Sequence, residues 1–248
     1  MMINGLYDLV LQQYEARGER PEAIVIVCPG GGYCWLSPRE GQPVAEAFAE
    51  NGYHSFVLSY DVSSPVLGKR PFEQIAWAVC RVRQLIPGLP VLLCGFSAGG
   101  HLAASLGVHW HELGREYRPD GLILCYPVIT AGPFAHQGSM LRLAGTQGGS
   151  RHSLERFVNA ETPPVFIWHT ADDEAVSVQN SLLFAERLAE CGVPLEMHIY
   201  PRGVHGLSLA TAAVEEPEKG RYADAHVAKW FHQCICWIKY EFGGKGAE

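Results

Sequence analysis

The sequence predicts an α/β fold, with a mainly parallel central sheet and helices on both of its faces. Short apolar or β-branched runs alternate with amphipathic stretches, the pattern of strands joined by crossover helices. The runs are nearly continuous in apolar character, which implies strands covered on both sides. At 248 residues the chain fits one domain, 1–248, that buries roughly 70 to 75% of its unfolded surface.

Element by element, Leu6–Tyr14 fits either a helix or an edge strand. Strands are expected at Ala23–Cys28, Ser55–Tyr60, Val91–Phe96, Leu122–Pro127, Val165–Thr170 and Leu195–Tyr200. Helices are expected at Pro43–Asn51, Phe72–Ile86, Ala98–Val108, Val178–Cys191 and Ala223–Phe242. Val128–Thr162, rich in Gly, Ser, Arg and His, is too long for a simple loop and is expected to form a small or partial cap above the sheet.

Composition narrows the function. Hydrophobic residues make up 48% and charged residues 18%, values of an ordinary globular protein. The net charge of -7 and the lack of a Lys/Arg-rich run exclude nucleic acid as an expected partner. The longest apolar runs are too short to span a bilayer. The first twenty residues lack the basic segment, apolar core and cleavage site of a signal peptide, so a cytoplasmic location is expected. Of the eight cysteines, most sit in apolar runs or helical patterns and are expected as reduced, buried thiols. Cys234 and Cys236 point to different helix faces, and no His/Cys cluster has zinc spacing, so no metal is expected.

Chemistry concentrates at "GFSAG", Gly95–Gly99, between a strand and a helix. A GxSxG turn in that context holds its serine in a strained conformation at the carboxyl edge of the sheet. Side chains at Gly95 or Gly99 would clash, and the helix N-terminus directs free N–H groups toward a developing oxyanion. Ser97 is therefore the candidate nucleophile. A serine hydroxyl needs a base and the base an orienting acid, expected in loops after later strands. Asp172 and Asp173 follow one strand, and His205, between Gly203 and Gly206, follows the next. The order Ser, Asp, His is that of the α/β-hydrolase fold. Asp173 stands three residues before Val176, where a turn would aim it at the histidine; Asp172 is left to cap the turn or bond locally. For the oxyanion, Gly31 or Gly32 in "PGGGYCW" and Ala98 are the expected N–H donors. Neither GxGxxG nor GxxxxGK[ST] is present, so these glycines do not read as a phosphate cradle.

With these pieces in place the chain resembles the α/β-hydrolase superfamily, in particular small bacterial acetylesterases, acetylxylan esterases and feruloyl esterases. The resemblance runs through residues 27–60, 95–105, 162–200 and 203–210. It implies a serine carboxylesterase that works through an acyl-enzyme and removes short acyl groups, often acetyl from sugars, without metal or organic cofactor. Two positions depart from the pattern. Pro29 precedes Gly30–Gly32 where lipase-like relatives have HGGG, and Ser177 follows Val176 where proline is frequent.

The expected partner is thus a small-molecule ester, an acetylated sugar included; the sequence sets no oligomeric state, homodimer included. An arylformamidase or small peptidase could use the same residues, and a non-catalytic hydrolase-fold binding protein is the reading from another class. Tyr33 and Trp35 are read as an aromatic floor for a sugar or aryl group, with ordinary packing as the alternative. Phe134, Met140 and Leu141 are placed at the acyl pocket by position alone. His101 is expected to pack or hydrogen-bond in its helix, His109 and His111 to lie at the surface, and His169 to anchor the acid loop. Arg39 and Glu40 read as a solvated or structural pair, and Cys34 as a bystander.

Overall fold

The computed structural model describes residues 10–18, 21–147 and 149–243. Its seven strands are β1 (Val10–Tyr14), β2 (Ile24–Cys28), β3 (His54–Ser59), β4 (Val91–Phe96), β5 (Gly121–Cys125), β6 (Val165–Thr170) and β7 (Leu195–Tyr200). They form one sheet in the order β1-β3-β2-β4-β5-β6-β7, parallel throughout except for β1, which pairs antiparallel with β3. The ambiguity at the N-terminus thus resolves as an edge strand over Val10–Tyr14; residues 6–9 lie outside the described residues.

Among the described residues, α1 (Gln42–Glu50), α2 (Arg70–Leu85), α3 (Ala98–His109), α5 (Gln179–Glu190) and α6 (Lys229–Phe242) pack on the sheet, and α4 (Gln137–Ala144) lies in the segment after β5. β2, β4, β5 and β6 are buried at every position, because successive side chains feed two separate cores. Ile24, Ile26 and Cys28 join the core formed with α2, α3 and α5. Val25 and Val27 join that formed with α1 and α6. The helices show why each face is needed. In α1 only Val44, Ala45, Phe48 and Ala49 are buried, one stripe at helical spacing. Every residue of α3 is buried, since it lies between the sheet and the segment that follows β5.

Most boundaries shift by a residue or two; the largest shift is at α6, and one helix, α4, is unexpected. α6 starts at Lys229, not Ala223, because the Asp224 side chain accepts from the N–H groups of His226 (2.8 Å) and Val227 (3.1 Å) and holds a local turn there. Within residues 128–162, α4 was not signalled by the sequence: its N-cap is His136, outside the usual Ser, Thr, Asp and Asn set. No helix among the described residues is long and apolar enough to cross a membrane.

Candidate active site

The turn between β4 and α3 is fixed by close backbone approach. A Cβ on Gly95 would stand 2.3 Å from the Gly99 carbonyl oxygen, and one on Gly99 would stand 2.0 Å from that of Cys28. Only glycine fits at either place. Ser97, between them, has φ 53° and ψ -115°, a conformation an L-residue keeps only where its surroundings impose it. Its N–H donates to the Cys125 carbonyl (3.0 Å), and its own carbonyl accepts from His101 and Val128. The end of β5 and the residues just after it thereby pin the turn.

Asp173 and His205 come from the loops after β6 and β7. The His205 Nδ1–H donates to Asp173 Oδ2 (2.7 Å), leaving Nε2 as acceptor for the Ser97 hydroxyl (2.8 Å). Asp173 Oδ1 accepts from the N–H groups of Ala175 and Val176, each at 2.9 Å. This local turn aims the second oxygen at the histidine. Burial alone would raise the Asp173 pKa. Hydrogen bonds from His169 and His205, the charge that His205 can carry and the Val176 N–H outweigh it and hold the carboxyl well below the usual range. Asp172 faces the other way and accepts from Gly203 N–H (2.7 Å), joining the acid loop to the histidine loop.

His169 is wholly buried beneath this pair. It accepts from the Ser181 hydroxyl at Nδ1 (2.7 Å) and donates from Nε2 to the Val176 carbonyl (2.9 Å), with Asp173 Oδ2 at 3.4 Å from the same nitrogen. Tyr126, at φ 38°, sets its ring edge-on to His205 at 5.0 Å.

The glycine loop follows β2. Gly30 N–H donates to Glu40 Oε2 (2.9 Å), which removes it as a donor to substrate. The N–H groups of Gly31, Gly32 and Ala98 have no partner among the described residues. Gly31 at φ 127° and Gly32 at φ 63° turn the chain so sharply that a Cβ on Gly31 would lie 2.1 Å from the Trp35 carbonyl oxygen. Gly31, Gly32, Trp35, Ser97, His136, His205 and Arg221 share a cleft of about 320 Å³. Such an arrangement can move a hydroxyl proton to an imidazole and offer N–H groups to a developing negative oxygen.

Several expected roles fall elsewhere. Tyr33 is 1% exposed, its hydroxyl donates to His101 Nδ1 (3.0 Å), and its ring lies edge-on to Tyr60 and His101. It packs rather than forming an open floor, because the φ of 61° that ends the glycine run turns it inward. It borders a second chamber of about 270 Å³ behind the glycine loop. Trp35, 44% exposed, does line the cleft, with Lys219 Nζ 5.3 Å above its ring. Met140 packs into the core on the inner face of α4, away from the cleft, whereas Phe134 and Leu141 are exposed.

His101 is buried and neutral. Burial, aided by nearby His152, pushes its pKa down to about 3, and its Nε2–H donates to the His152 carbonyl (3.2 Å). His109, expected at the surface, is 2% exposed and borders the second chamber; His111 is exposed. The missed signal was that α3 has no outer face. Arg39 and Glu40 are not partners of one another. Glu40 is buried and also accepts from the Tyr126 hydroxyl (2.7 Å), while Arg39 donates to the carbonyls of Val214 (2.6 Å) and Gly206 (2.8 Å). Arg221 donates to the His205 carbonyl (2.9 Å) and pairs with Glu216. No local spacing announces these clamps, which join residues far apart in the chain. Cys34 is exposed on the cleft rim.

Comparison with known proteins agrees with this architecture. A family model described as alpha/beta hydrolase fold matches residues 25–209. The chain is 42% identical over 206 residues to an endo-1,4-beta-xylanase B of Butyrivibrio fibrisolvens, covering 75% of this chain and 32% of that protein. It is 31% identical over 209 residues to an acetylxylan esterase of Xylanibacter ruminicola, covering 78% of this chain and 43% of that one. The chain thus spans less than half the length of either relative. Among solved structures, an acetyl ester-xyloside bifunctional hydrolase from Caldicellulosiruptor lactoaceticus superimposes with a TM-score of 0.81 at 36% identity, covering 94% of this chain and 87% of that one. A sugar hydrolase from Lactococcus lactis gives 0.80 at 34%, covering 97% of each. Sheet order, the strained serine turn and these matches lead to one assignment: the chain belongs to the alpha/beta hydrolase fold family.

Proposed function

We propose that the protein is a serine carboxylesterase that removes short acyl groups, acetyl foremost, from hydroxylated sugar substrates. The observation that carries this reading is the unbroken hydrogen-bond chain from Asp173 through His205 to Ser97, opening on a cleft with unpaired glycine-loop N–H groups. In this reading Ser97 Oγ attacks the ester carbonyl while His205 Nε2 takes its proton. Asp173, kept ionised, holds the imidazole tautomer and stabilises the imidazolium. The N–H groups of Ala98 and of Gly31 or Gly32 hold the tetrahedral oxyanion. Collapse expels the alcohol, protonated by His205, and leaves an acyl-serine. Water, deprotonated by the same histidine, then releases the acid.

The sugar preference draws on relatives named for acetylxylan and acetyl-xyloside hydrolysis and on the exposed Trp35 face at the cleft. The test is turnover of p-nitrophenyl acetate and of acetylated xylo-oligosaccharides by wild type and by Ser97→Ala. Ser97→Ala is expected to lower kcat by roughly four to six orders of magnitude on both. Undiminished turnover overturns the serine mechanism. Wild-type cleavage of the aryl ester alone overturns the sugar preference and leaves the mechanism standing.

A further inference from the structure

His136 enters the cleft from the segment after β5, and its ring is held by one nitrogen only. Nδ1 receives both the Ser139 N–H (3.2 Å) and the Ser139 hydroxyl (2.8 Å). A nitrogen that receives an N–H cannot carry a proton itself, so the neutral ring has its hydrogen on Nε2. That Nε2–H has no partner among the described residues and is not among their buried unpaired atoms, and its ring lines the cleft together with Ser97 and His205. The ring also covers the glycine loop: a Cβ on Gly32 would stand 3.6 Å from His136 Cε1. Burial, and next the proximity of His205, lower the pKa of His136, while Asp173 opposes them; the ring is therefore a neutral donor at neutral pH.

The position is too well determined for a helix cap alone. Histidine is a weak choice at an N-cap, where Ser, Asp or Asn would bind the same N–H. Its ring makes no hydrogen bond to Ser97, His205 or Asp173, so it does not take part in the proton relay. In the esterase reading the unpartnered N–H groups of Gly31, Gly32 and Ala98 already serve the oxyanion. What the ring adds is a fixed donor elsewhere on the wall. When an apolar alcohol group fills the cleft that donor loses water and gains nothing, and when a hydroxylated one fills it a hydrogen bond forms.

We propose that His136 is a specificity-determining residue whose Nε2–H donates to a hydroxyl oxygen on the alcohol part of the ester, next to the scissile bond, so that the cleft favours polyol esters over esters of apolar alcohols. This rests on the esterase reading of Ser97 but not on the substrate being a sugar. A matched pair of probes separates the two: 2-hydroxyethyl acetate and propyl acetate, alike in size and differing in one hydroxyl.

The experiment measures kcat/KM for both esters, and for p-nitrophenyl acetate, in wild type, His136→Phe and His136→Gln. The hydroxyethyl-to-propyl ratio is expected to fall about ten- to hundredfold in His136→Phe, and to recover in part in His136→Gln, which restores an N–H. Nitrogen-15 shifts of His136 are expected to show the Nε2–H tautomer. An unchanged ratio, an equal loss on all three esters or an Nδ1–H tautomer overturns the assignment. If wild type cleaves none of the three, the esterase reading itself has failed and the assignment falls with it. If it cleaves these but no acetylated xylo-oligosaccharide, only the sugar preference is lost.

Discussion

The turn after β4 and the segment after β5 leave neighbouring strands at the same edge of the sheet, yet they hold their shapes by opposite means. The turn is fixed by backbone against backbone: glycines at 95 and 99, with carbonyl oxygens where their Cβ atoms would be. The segment is fixed by side-chain hydrogen bonds, one set received from outside it and others made by its own residues, some to distant carbonyls. Asn180 accepts from the N–H groups of Ile129 (2.9 Å) and Thr130 (3.0 Å), and Ser153 accepts from that of Ala131 (2.9 Å). Arg142 donates to the carbonyls of Tyr33, Pro65 and Val62. The first kind of structure tolerates almost no substitution and leaves a local motif. The second can be assembled from many residue combinations and leaves none.

Substitutions can break this contrast, beginning with the strongest. Gly99→Ala drives a methyl into the Cys28 and Pro29 carbonyls and should cost more than about 4 kcal/mol or prevent folding. Thermal unfolding checks it, and a melting temperature within a few degrees of wild type would show that the turn has slack. Asp173→Asn should lower kcat by about 10³ to 10⁴ through loss of the correct imidazole tautomer. Asp172→Asn, which still accepts from Gly203, should cost less than about tenfold. The reverse order in steady-state assays would move the acid role to Asp172.

A smaller effect is expected from His101 and His109, whose pKa values burial lowers to about 3 and about 4. Both are neutral in the folded state. The stability they contribute is complete above about pH 6.5, their unfolded value, and is lost as pH falls toward the folded values. The loss between pH 6.5 and 5 is on the order of 2 kcal/mol for each, and denaturant titrations across that range should show it. His101 faces Tyr33 and His152, while His109 faces Glu112, Arg151 and His111. His101→Gln should flatten the slope; an unchanged slope would mean that His101 charges without opening the core. Smallest of all, Leu141→Ser, on the exposed face of α4, should change stability by no more than about 0.5 kcal/mol. A larger change would show that the segment is held by more than its clamps.

β2, β4, β5 and β6 were legible because uninterrupted apolar runs are what a doubly covered parallel sheet requires; β7, at the edge and only partly buried, carries Glu196 and His198 within its run. Ser97, Asp173 and His205 could be singled out because glycine limits and chain order act locally or follow strand order. Their hydrogen-bonded alignment is a property of the fold, as is the burial of Glu40 and His109. Tyr33 carried two readings in the sequence, stacking floor or ordinary packing, because the positive φ that turns it inward is not visible there; in the fold it packs. His136 left no signal, because a histidine capping an eight-residue helix resembles any loop histidine.

Glu40 joins loops that leave three different strands. One carboxyl oxygen receives Gly30 from the loop after β2, and the other receives Tyr126 from the end of β5, whose hydroxyl in turn receives Ser208 N–H (3.0 Å) from the histidine loop after β7. Trp35, His136 and Cys34 belong to the cleft but not to this junction. The protein therefore keeps what must stay constant apart from what may be exchanged. A library confined to the rim could retune substrate choice while the reacting geometry is inherited unchanged, whereas a single change at Glu40 would unsettle every variant alike.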